Sequence, residues 1–207
     1  HNEKAGIIKK ARPIVTSELK EEALKEIRYA AHSNNSRMTE VSKSCVVRNL
    51  DSSKDYLLFV LKTDKAEYSI ESKLVGDFQV DNICAAIKAI EESGVDIDPD
   101  KIETGIANTR WPGRLEIIKK DPMVVVDCAH NPPAANSLSI SYNKIFNEKP
   151  VLLIGMLLDK DHYSYIRNIR KISDHVVFTR PDEPERSLDP KILLSESSGI
   201  FFICNCY

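Results

Sequence analysis

The chain has 207 residues, of which 42% are hydrophobic, and its 29 basic and 31 acidic side chains leave a net charge of -2. This length and hydrophobic content suffice for one large domain or two small ones with a real core. The balance of charge excludes a broad basic field for nucleic acid or an anionic membrane, so an anionic ligand must be held by local groups.

The cysteine pattern and the chain start bear on location. The five cysteines are scattered, and their spacing is not that of a zinc site, which favours a reducing cytoplasm. No apolar run approaches the length of a membrane span, and the first residues carry charges where a signal peptide would be apolar. Because the chain does not begin with methionine, we expect His1 to be a cut end of a longer protein.

The first elements are a short strand and a helix. Pro13 opens an apolar segment that predicts a strand, and Thr16 or Ser17 is a candidate cap for the element that follows. Leu19, Ala23, Ile27 and Ala30 recur at helical spacing and predict an amphipathic helix up to about His32.

Residues 45–74 change to a period of two. We predict strands over 45–47, 56–62 and 67–74, with residues 63–66 as the turn of a hairpin. In the last strand Tyr68, Ile70, Ser72 and Leu74 share one face. This pattern indicates an antiparallel β element with one face in water.

Two helices follow this β element. Residues 76–82 lead into a helix with an apolar stripe, and Gly94 is its predicted C-terminal cap. Asp98 and Pro99 open the next helix in the favoured order of cap and proline. That helix stops before residues 110–113, where Pro112 disfavours helix at the preceding residue, and we place the domain boundary there.

After the boundary the pattern is strand, helix, strand, helix, strand. The runs 124–126, 151–154 and 176–178 do not alternate, which is typical of parallel strands covered on both faces. Helical stripes occupy about 133–146 and 162–172. The order predicts a doubly wound α/β domain with right-handed crossovers. Ligands bind at the carboxyl edge of such sheets, so we expect the chemistry beside Asp127.

Five motifs carry a resemblance to a known family. Trp111–Glu116 and Asp127–Pro132 resemble the signature of folylpolyglutamate synthase and dihydrofolate synthase, of the Mur ligase superfamily. Residues 3–9, 76–82 and 155–161 match the same family in the same order. The resemblance implies an α/β protein in which residues 1–110 are the second half of a Mur-ligase-type central ATPase domain. Residues 111–207 would then be a Rossmann-like C-terminal domain, incomplete at its end.

Three residues are candidates for nucleotide binding, each with a plainer alternative. Asp127 closes a strand and could accept hydrogen bonds from ribose hydroxyls, or only cap its loop. Arg114 has a planar guanidinium group that suits a phosphate, or it is a solvated or ion-paired arginine at a domain joint. Asn82 could be an ordinary helix N-cap. The resemblance implies that all three contact ATP.

Other candidates rest on weaker arguments. His130 could contact the nucleotide, cap its loop or be structural, whereas Asn131 before two prolines favours a helix start. Lys4 is an ordinary lysine from sequence alone; the resemblance implies a carbamylated, catalytic lysine that binds magnesium. Lys160 and Asp161 could form a solvated turn or contact a substrate.

The resemblance also implies a reaction. These enzymes use ATP and Mg²⁺ to phosphorylate a folate carboxylate, and the amine of L-glutamate then attacks the acyl phosphate to form an amide. We expect folate (dihydropteroate or tetrahydrofolate) and L-glutamate as substrates, no nucleic acid or membrane partner, a cytoplasmic location and a full-length monomer.

The sequence departs from the family in three ways. It contains no Gly-x-x-x-x-Gly-Lys-Ser/Thr loop, so we expect the chain to be inactive by itself. Cys128 stands where the family usually has glycine. Residues 197–207 match nothing in the family, which predicts a C-terminal sheet with missing or replaced last strands and an exposed apolar edge. The alternatives are a non-catalytic nucleotide-binding module and another Mur-type amide ligase that acts on a peptidoglycan precursor.

Overall fold

A computed structural model describes residues 6–183, 185–195 and 200–203. These residues form two compact units that divide between Trp111 and Pro112. In chain order the first unit contains β1 (Ile14–Thr16), α1 (Glu21–Ser33), β2 (Met38–Glu40), α2 (Val41–Ser44), β3 (Val46–Ser52), β4 (Leu57–Lys62), β5 (Glu67–Ser72), α3 (Phe78–Glu92) and α4 (Pro99–Asn108). The second contains β6 (Glu116–Lys120), β7 (Met123–Val126), α5 (Pro132–Ile145), β8 (Val151–Gly155), α6 (His162–Ile169), a 3₁₀ turn (Arg170–Ile172), β9 (His175–Thr179), α7 (Pro190–Ser195) and β10 (Ile200–Ile203).

The core of the first unit lies between an antiparallel sheet and α3. Strands β3, β4 and β5 form that sheet in sequence order, and β1 and β2 pair separately in parallel. Burial alternates along β5 as predicted, because Tyr68, Ile70 and Ser72 face inward while the residues between them are exposed. The inward residues of β4 and β5 pack with Val80, Ile83 and Ile87 of α3. The sheet therefore fixes the helix that carries Asn82.

The helix starts of this unit are partly mispredicted. Helix α1 begins at Glu21 and its N-cap residue, Lys20, makes no side-chain capping bond, so the caps predicted at Thr16 or Ser17 are wrong. Leu19 is exposed rather than part of the buried stripe. In contrast, Asp98 caps α4 by accepting a hydrogen bond from the Asp100 amide, as predicted. Gly94 has a φ of +78°, the conformation expected just after a helix end.

The second unit is α/β, with a parallel sheet in the order β10, β9, β8. The predicted parallel placement of residues 124–126 is wrong: β7 pairs antiparallel with β6, from Glu116 opposite Val126 to Lys120 opposite Met123. The two strands are separated by only two residues, which makes a local hairpin the nearest pairing.

One face of the parallel sheet is buried and the other is open. Val176 and Phe178 of β9 are fully buried, whereas Val151 and Leu153 of β8 are 69% and 68% exposed. The prediction that these strands are covered on both faces is therefore wrong for β8. Residues 200–203, which lie in the stretch where the last strands were expected to be missing or replaced, form the edge strand β10, and Phe202 on it is exposed.

The crossover helices agree with prediction. Asn131 caps α5 by accepting a hydrogen bond from the Ala134 amide at 2.9 Å, and two prolines follow it. Asp161 caps α6 by accepting from the Ser164 amide. Both helices start just after the carboxyl end of a strand. This arrangement places the loops after β7 and β8 at one edge of the second unit.

Candidate functional site

The carboxylate of Asp127 links the loop after β7 to the segment just before β6 by hydrogen bonds. Its Oδ2 accepts a hydrogen bond from the Leu115 amide at 2.8 Å, and its Oδ1 accepts one from the Ala129 amide at 2.7 Å. The amide of Cys128 donates to the Gly113 carbonyl at 2.8 Å. Asp127 thus has the loop-capping role proposed as the plainer alternative. Each carboxylate oxygen can still accept a second bond, so ribose binding is compatible with this role.

Burial is the main influence on the ionisation of Asp127. It raises the pKa of the carboxyl group above its ordinary value, while the amides of Leu115 and Ala129 and the charge of Arg114 act in the opposite direction. A further hydrogen-bond donor at this carboxylate would favour its charged form. A ligand that brings hydroxyl donors therefore suits the site electrostatically.

Arg114 is half-buried and close enough to Asp127 to influence its ionisation. Among the residues described, no carboxylate lies within ion-pair distance of its guanidinium group, so the ion-paired alternative is wrong, whereas a solvated arginine and a phosphate contact both fit the structure. A guanidinium group without a fixed salt bridge is available to bind an anion.

A cavity of about 290 Å³ lies between the loop after β7 and the loop after β8, and six residues line it. They are Ala129, His130, Gly155, Met156, Leu157 and Lys160. The structure therefore brings together two sequence candidates, His130 and Lys160, from different motifs. The ring Nδ1 of His130 lies 3.0 Å from the Cys128 carbonyl oxygen, which fits the loop-capping alternative for this histidine.

The loop after β8 is held by a segment that the sequence did not single out. Leu158 donates its amide to the Arg186 carbonyl at 2.8 Å, and Leu188 donates to the Met156 carbonyl at 2.9 Å. The ammonium of Lys160 binds the Asp159 carboxylate at 2.8 Å, and Asp161 caps α6. One wall of the cavity is thereby fixed by backbone pairing.

The remaining candidates are not part of this cavity. Asn82 lies within α3, which begins at Phe78, so the N-cap alternative is wrong; its Nδ2 donates to Gln79 Oε1 at 2.9 Å. Its side chain belongs to the first unit and is exposed. Lys4 lies outside the described residues, and its predicted roles in catalysis and magnesium binding stay predictions.

Two further observations concern what the described part of the chain lacks. It contains no group of three or more His, Cys, Asp or Glu side chains arranged to hold a metal ion. Within the same residues, no helix combines the length and the apolar character needed to cross a bilayer.

Two further residues shape the site, and the sequence indicated only one of them. Leu115 supplies an amide to Asp127 while adopting a φ of +48°, and nothing about a leucine predicts that conformation. Gly113 has a φ of +71°, and a Cβ atom there would lie 2.5 Å from Cys128 Sγ. Glycine in the motif Trp111–Glu116 was the available signal for this close approach.

Comparison with known proteins concerns the family and the fold of the chain. Residues 113–202 match the family model described as Mur ligase, glutamate ligase domain. The expectation that residues 197–207 match nothing in the family is therefore wrong for residues 197–202. The chain is 31% identical over 192 residues to a dihydrofolate synthase/folylpolyglutamate synthase of Bacillus subtilis, covering 90% of this chain and 45% of that protein. It is 30% identical over 131 residues to a UDP-N-acetylmuramoyl-L-alanyl-D-glutamate–2,6-diaminopimelate ligase of Aquifex aeolicus, covering 59% of this chain and 27% of that protein.

A solved structure shows the same fold. The folylpolyglutamate synthase of Mycobacterium tuberculosis complexed with ADP superimposes with a TM-score of 0.90 at 25% identity, covering 98% of this chain and 48% of that one. The chain thus spans about half the length of the folate relatives that it matches.

The fold and the matched domain place the chain in the Mur ligase superfamily. Mur ligases and folylpolyglutamate synthases among its relatives are ATP-dependent ligases. Within that superfamily, the resemblance to the folylpolyglutamate synthase and dihydrofolate synthase family is confirmed over nearly the whole chain.

Proposed function

We propose that the chain is part of an ATP-dependent ligase that adds L-glutamate to a folate through an acyl phosphate. The observation that carries the proposal is the Asp127 loop, with Arg114 and a 290 Å³ cavity beside it, in a chain related to folylpolyglutamate synthases along 90% of its length. ATP supplies the phosphoryl group that activates the folate carboxylate.

The residues of this chain bind and orient the reactants. Asp127 accepts hydrogen bonds from the ribose hydroxyls, and Arg114 binds a phosphate of the nucleotide. His130 and Lys160 line the cavity and carry donors that suit an anionic reactant. The role of Asn82 in nucleotide binding stays a prediction that rests on the family resemblance alone. Stabilisation of charge by such cationic groups is the main catalytic effect expected for phosphoryl transfer.

The magnesium ion stays a family-based expectation. The described residues contain no group of three or more His, Cys, Asp or Glu side chains that could hold it, and Lys4 lies outside them. Residues 1–110 as part of the central ATPase domain, a cytoplasmic location and a full-length monomer are likewise kept as predictions.

Nucleotide binding can be tested on the chain as it stands. We expect ADP to shift the backbone amide resonances of Arg114, Leu115 and Ala129 in heteronuclear NMR titrations. Asp127→Asn keeps one acceptor for two amides and removes the charge, and it should weaken ADP binding about tenfold or more, since a hydrogen bond to a charged group contributes about 1.5–3 kcal/mol. Asp174→Asn, on an exposed loop before β9, is the matched control and should bind ADP normally.

Two results would contradict the proposal. ADP titrations that leave the Asp127 loop unshifted would remove its nucleotide role. Equal ADP affinity in Asp127→Asn and wild type would do the same.

The chain alone, mixed with ATP, L-glutamate and tetrahydrofolate, should form no product because it carries no phosphate loop. Measured glutamate addition would refute that part.

A second candidate, a Mur-type ligase that acts on a peptidoglycan precursor, is favoured by the similarity to the Aquifex enzyme. The folate assignment has the wider match, covering 90% of the chain against 59%. Competition between folate and peptidoglycan-precursor substrates in the longer protein separates the two.

A further inference from the structure

Two cysteines of the first unit lie together at the edge of its core. Cys84 is on the inner face of α3 and is 1% exposed, whereas Cys45, which follows α2 and precedes β3, is half-buried. Both side chains belong to one apolar cluster, which also contains Val41 and Val47. They also line the same small cavity of about 80 Å³, together with Ser42 and Asp81. Two elements far apart in sequence thus bring two thiols to one place.

The two thiols differ in their access to solvent, and this difference sets their roles. Cys45 is half-buried and Cys84 is almost fully buried, so a dissolved oxidant reaches Cys45 first. Cys45 is therefore the attacking thiol, and Cys84 resolves the mixed disulfide that forms. Burial is the largest influence on the ionisation of both thiols, and it raises the pKa of Cys84 to about 12.

We propose that Cys45 and Cys84 form a reversible disulfide when the protein meets a small disulfide oxidant such as oxidised glutathione. The Cys45 thiolate attacks one sulfur of glutathione disulfide, and the first glutathione leaves as a thiolate that takes up a proton. Cys84 loses its proton and attacks Cys45 Sγ in the resulting mixed disulfide, which releases the second glutathione. Two protein thiols are oxidised, and one glutathione disulfide is reduced to two thiols.

The surroundings of the pair set its rate. Lys88 lowers the pKa of Cys45 and Glu91 raises it, the Ser44 hydroxyl lowers it, and Asp81 raises the pKa of Cys84. Because burial exceeds these influences, the reaction is slow at neutral pH. Its rate should rise about tenfold per pH unit below the pKa of the attacking thiol, since only the thiolate reacts.

Peptide mapping of the oxidised chain tests the proposal. After incubation with oxidised glutathione, alkylation and trypsin digestion, we expect peptide 44–48 to be disulfide-linked to peptide 74–88. Cys128 is exposed to the oxidant, so its peptide 121–144 should carry a glutathione adduct. Reduction with a monothiol should return the free Cys45 and Cys84 peptides.

Variants separate the two roles. Cys84→Ser should leave Cys45 as a persistent glutathione adduct, and Cys45→Ser should leave Cys84 unmodified. Oxidation of the wild-type chain in guanidinium chloride is the control for geometry, because unfolding should spread the pairing over all five cysteines. The proposal is overturned when peptides 44–48 and 74–88 stay unlinked in the folded chain under conditions that modify Cys128. It is also overturned when their linkage is no more frequent in the folded than in the unfolded chain.

Discussion

Replacing Lys88 by methionine is expected to destabilise the first unit strongly. The Lys88 side chain is 1% exposed, and its ammonium binds Asp64 at 2.6 Å and Glu91 at 2.6 Å, with Glu92 at 3.5 Å. The side chains of Glu91 and Glu92 are each 4% exposed. Lys88→Met therefore keeps the approximate volume of the side chain but leaves two buried carboxylates without their shared cation.

The size of the effect follows from what remains around those carboxylates. Removing one partner of a buried ion pair costs about 3–5 kcal/mol. Glu91 keeps hydrogen bonds from Thr63 at 2.6 Å and Tyr68 at 3.0 Å, and Glu92 keeps its ion pair with Arg37. These partners offset part of the loss, so we expect the free energy of unfolding to fall by about 3 kcal/mol, at the lower end of that range.

Urea denaturation followed by circular dichroism measures this change. Lys149→Met is the matched control, because Lys149 pairs with Asp174 at 2.6 Å while both side chains are about two-thirds exposed or more. An exposed pair contributes about 0–1 kcal/mol, so the control should be nearly neutral. Adding Glu91→Gln to Lys88→Met removes one uncompensated charge and should restore part of the loss. A change below about 1 kcal/mol for Lys88→Met would refute the reasoning.

Two further predictions concern pH and the joint. The pKa of Tyr68 is raised to about 12, first by burial and then by its hydrogen bond to Glu91; because an unfolded tyrosine ionises near 10, the stability that it contributes is complete below about pH 10 and is lost as pH rises towards 12. Thermal melts of Tyr68→Phe should show a shallower alkaline loss than wild type, and an equal loss would contradict this assignment. Gly113→Ala combines a φ of +71° with a Cβ only 2.5 Å from Cys128 Sγ, so it should lower the melting temperature. Cys128→Ala in the same chain should recover the steric part but not the part due to backbone conformation; no recovery would exclude the clash.

Sequence periodicity predicted those elements whose neighbours are close in the chain. The alternation of Tyr68, Ile70 and Ser72 is typical of a sheet with one buried face, and the structure confirms that these side chains are buried. Asp98 and Asn131 allowed the starts of their helices to be predicted, because a capping side chain binds a backbone amide only two or three residues further along the chain. The runs 151–154 and 176–178 were predicted to be parallel strands from their lack of alternation, and they form β8 and β9.

The predictions failed where strand pairing or burial depends on a partner distant in sequence, or where a neighbouring strand competes for the pairing. Residues 124–126 look like a parallel strand, but β6 lies immediately before them and takes the pairing. The open face of β8 could not be predicted, because the hydrophobicity of a residue indicates which surroundings it prefers and not whether a packing partner covers it. At the site, sequence named Asp127, Arg114 and His130, whereas the Leu115 amide and the segment 186–188 become visible only in three dimensions.

The double attachment of Asp127 has a consequence for natural variation and genetic screens. Because the two oxygens that would meet a ligand also join Leu115 to Ala129, any substitution there changes the shape of the loop and its chemistry at once. A longer glutamate displaces both amides, and a neutral asparagine satisfies only one of them. Under the proposed function, selection for correct folding of the loop and selection for nucleotide binding would act on the same few atoms. A screen for loss of activity would then find this position without revealing which of the two was lost.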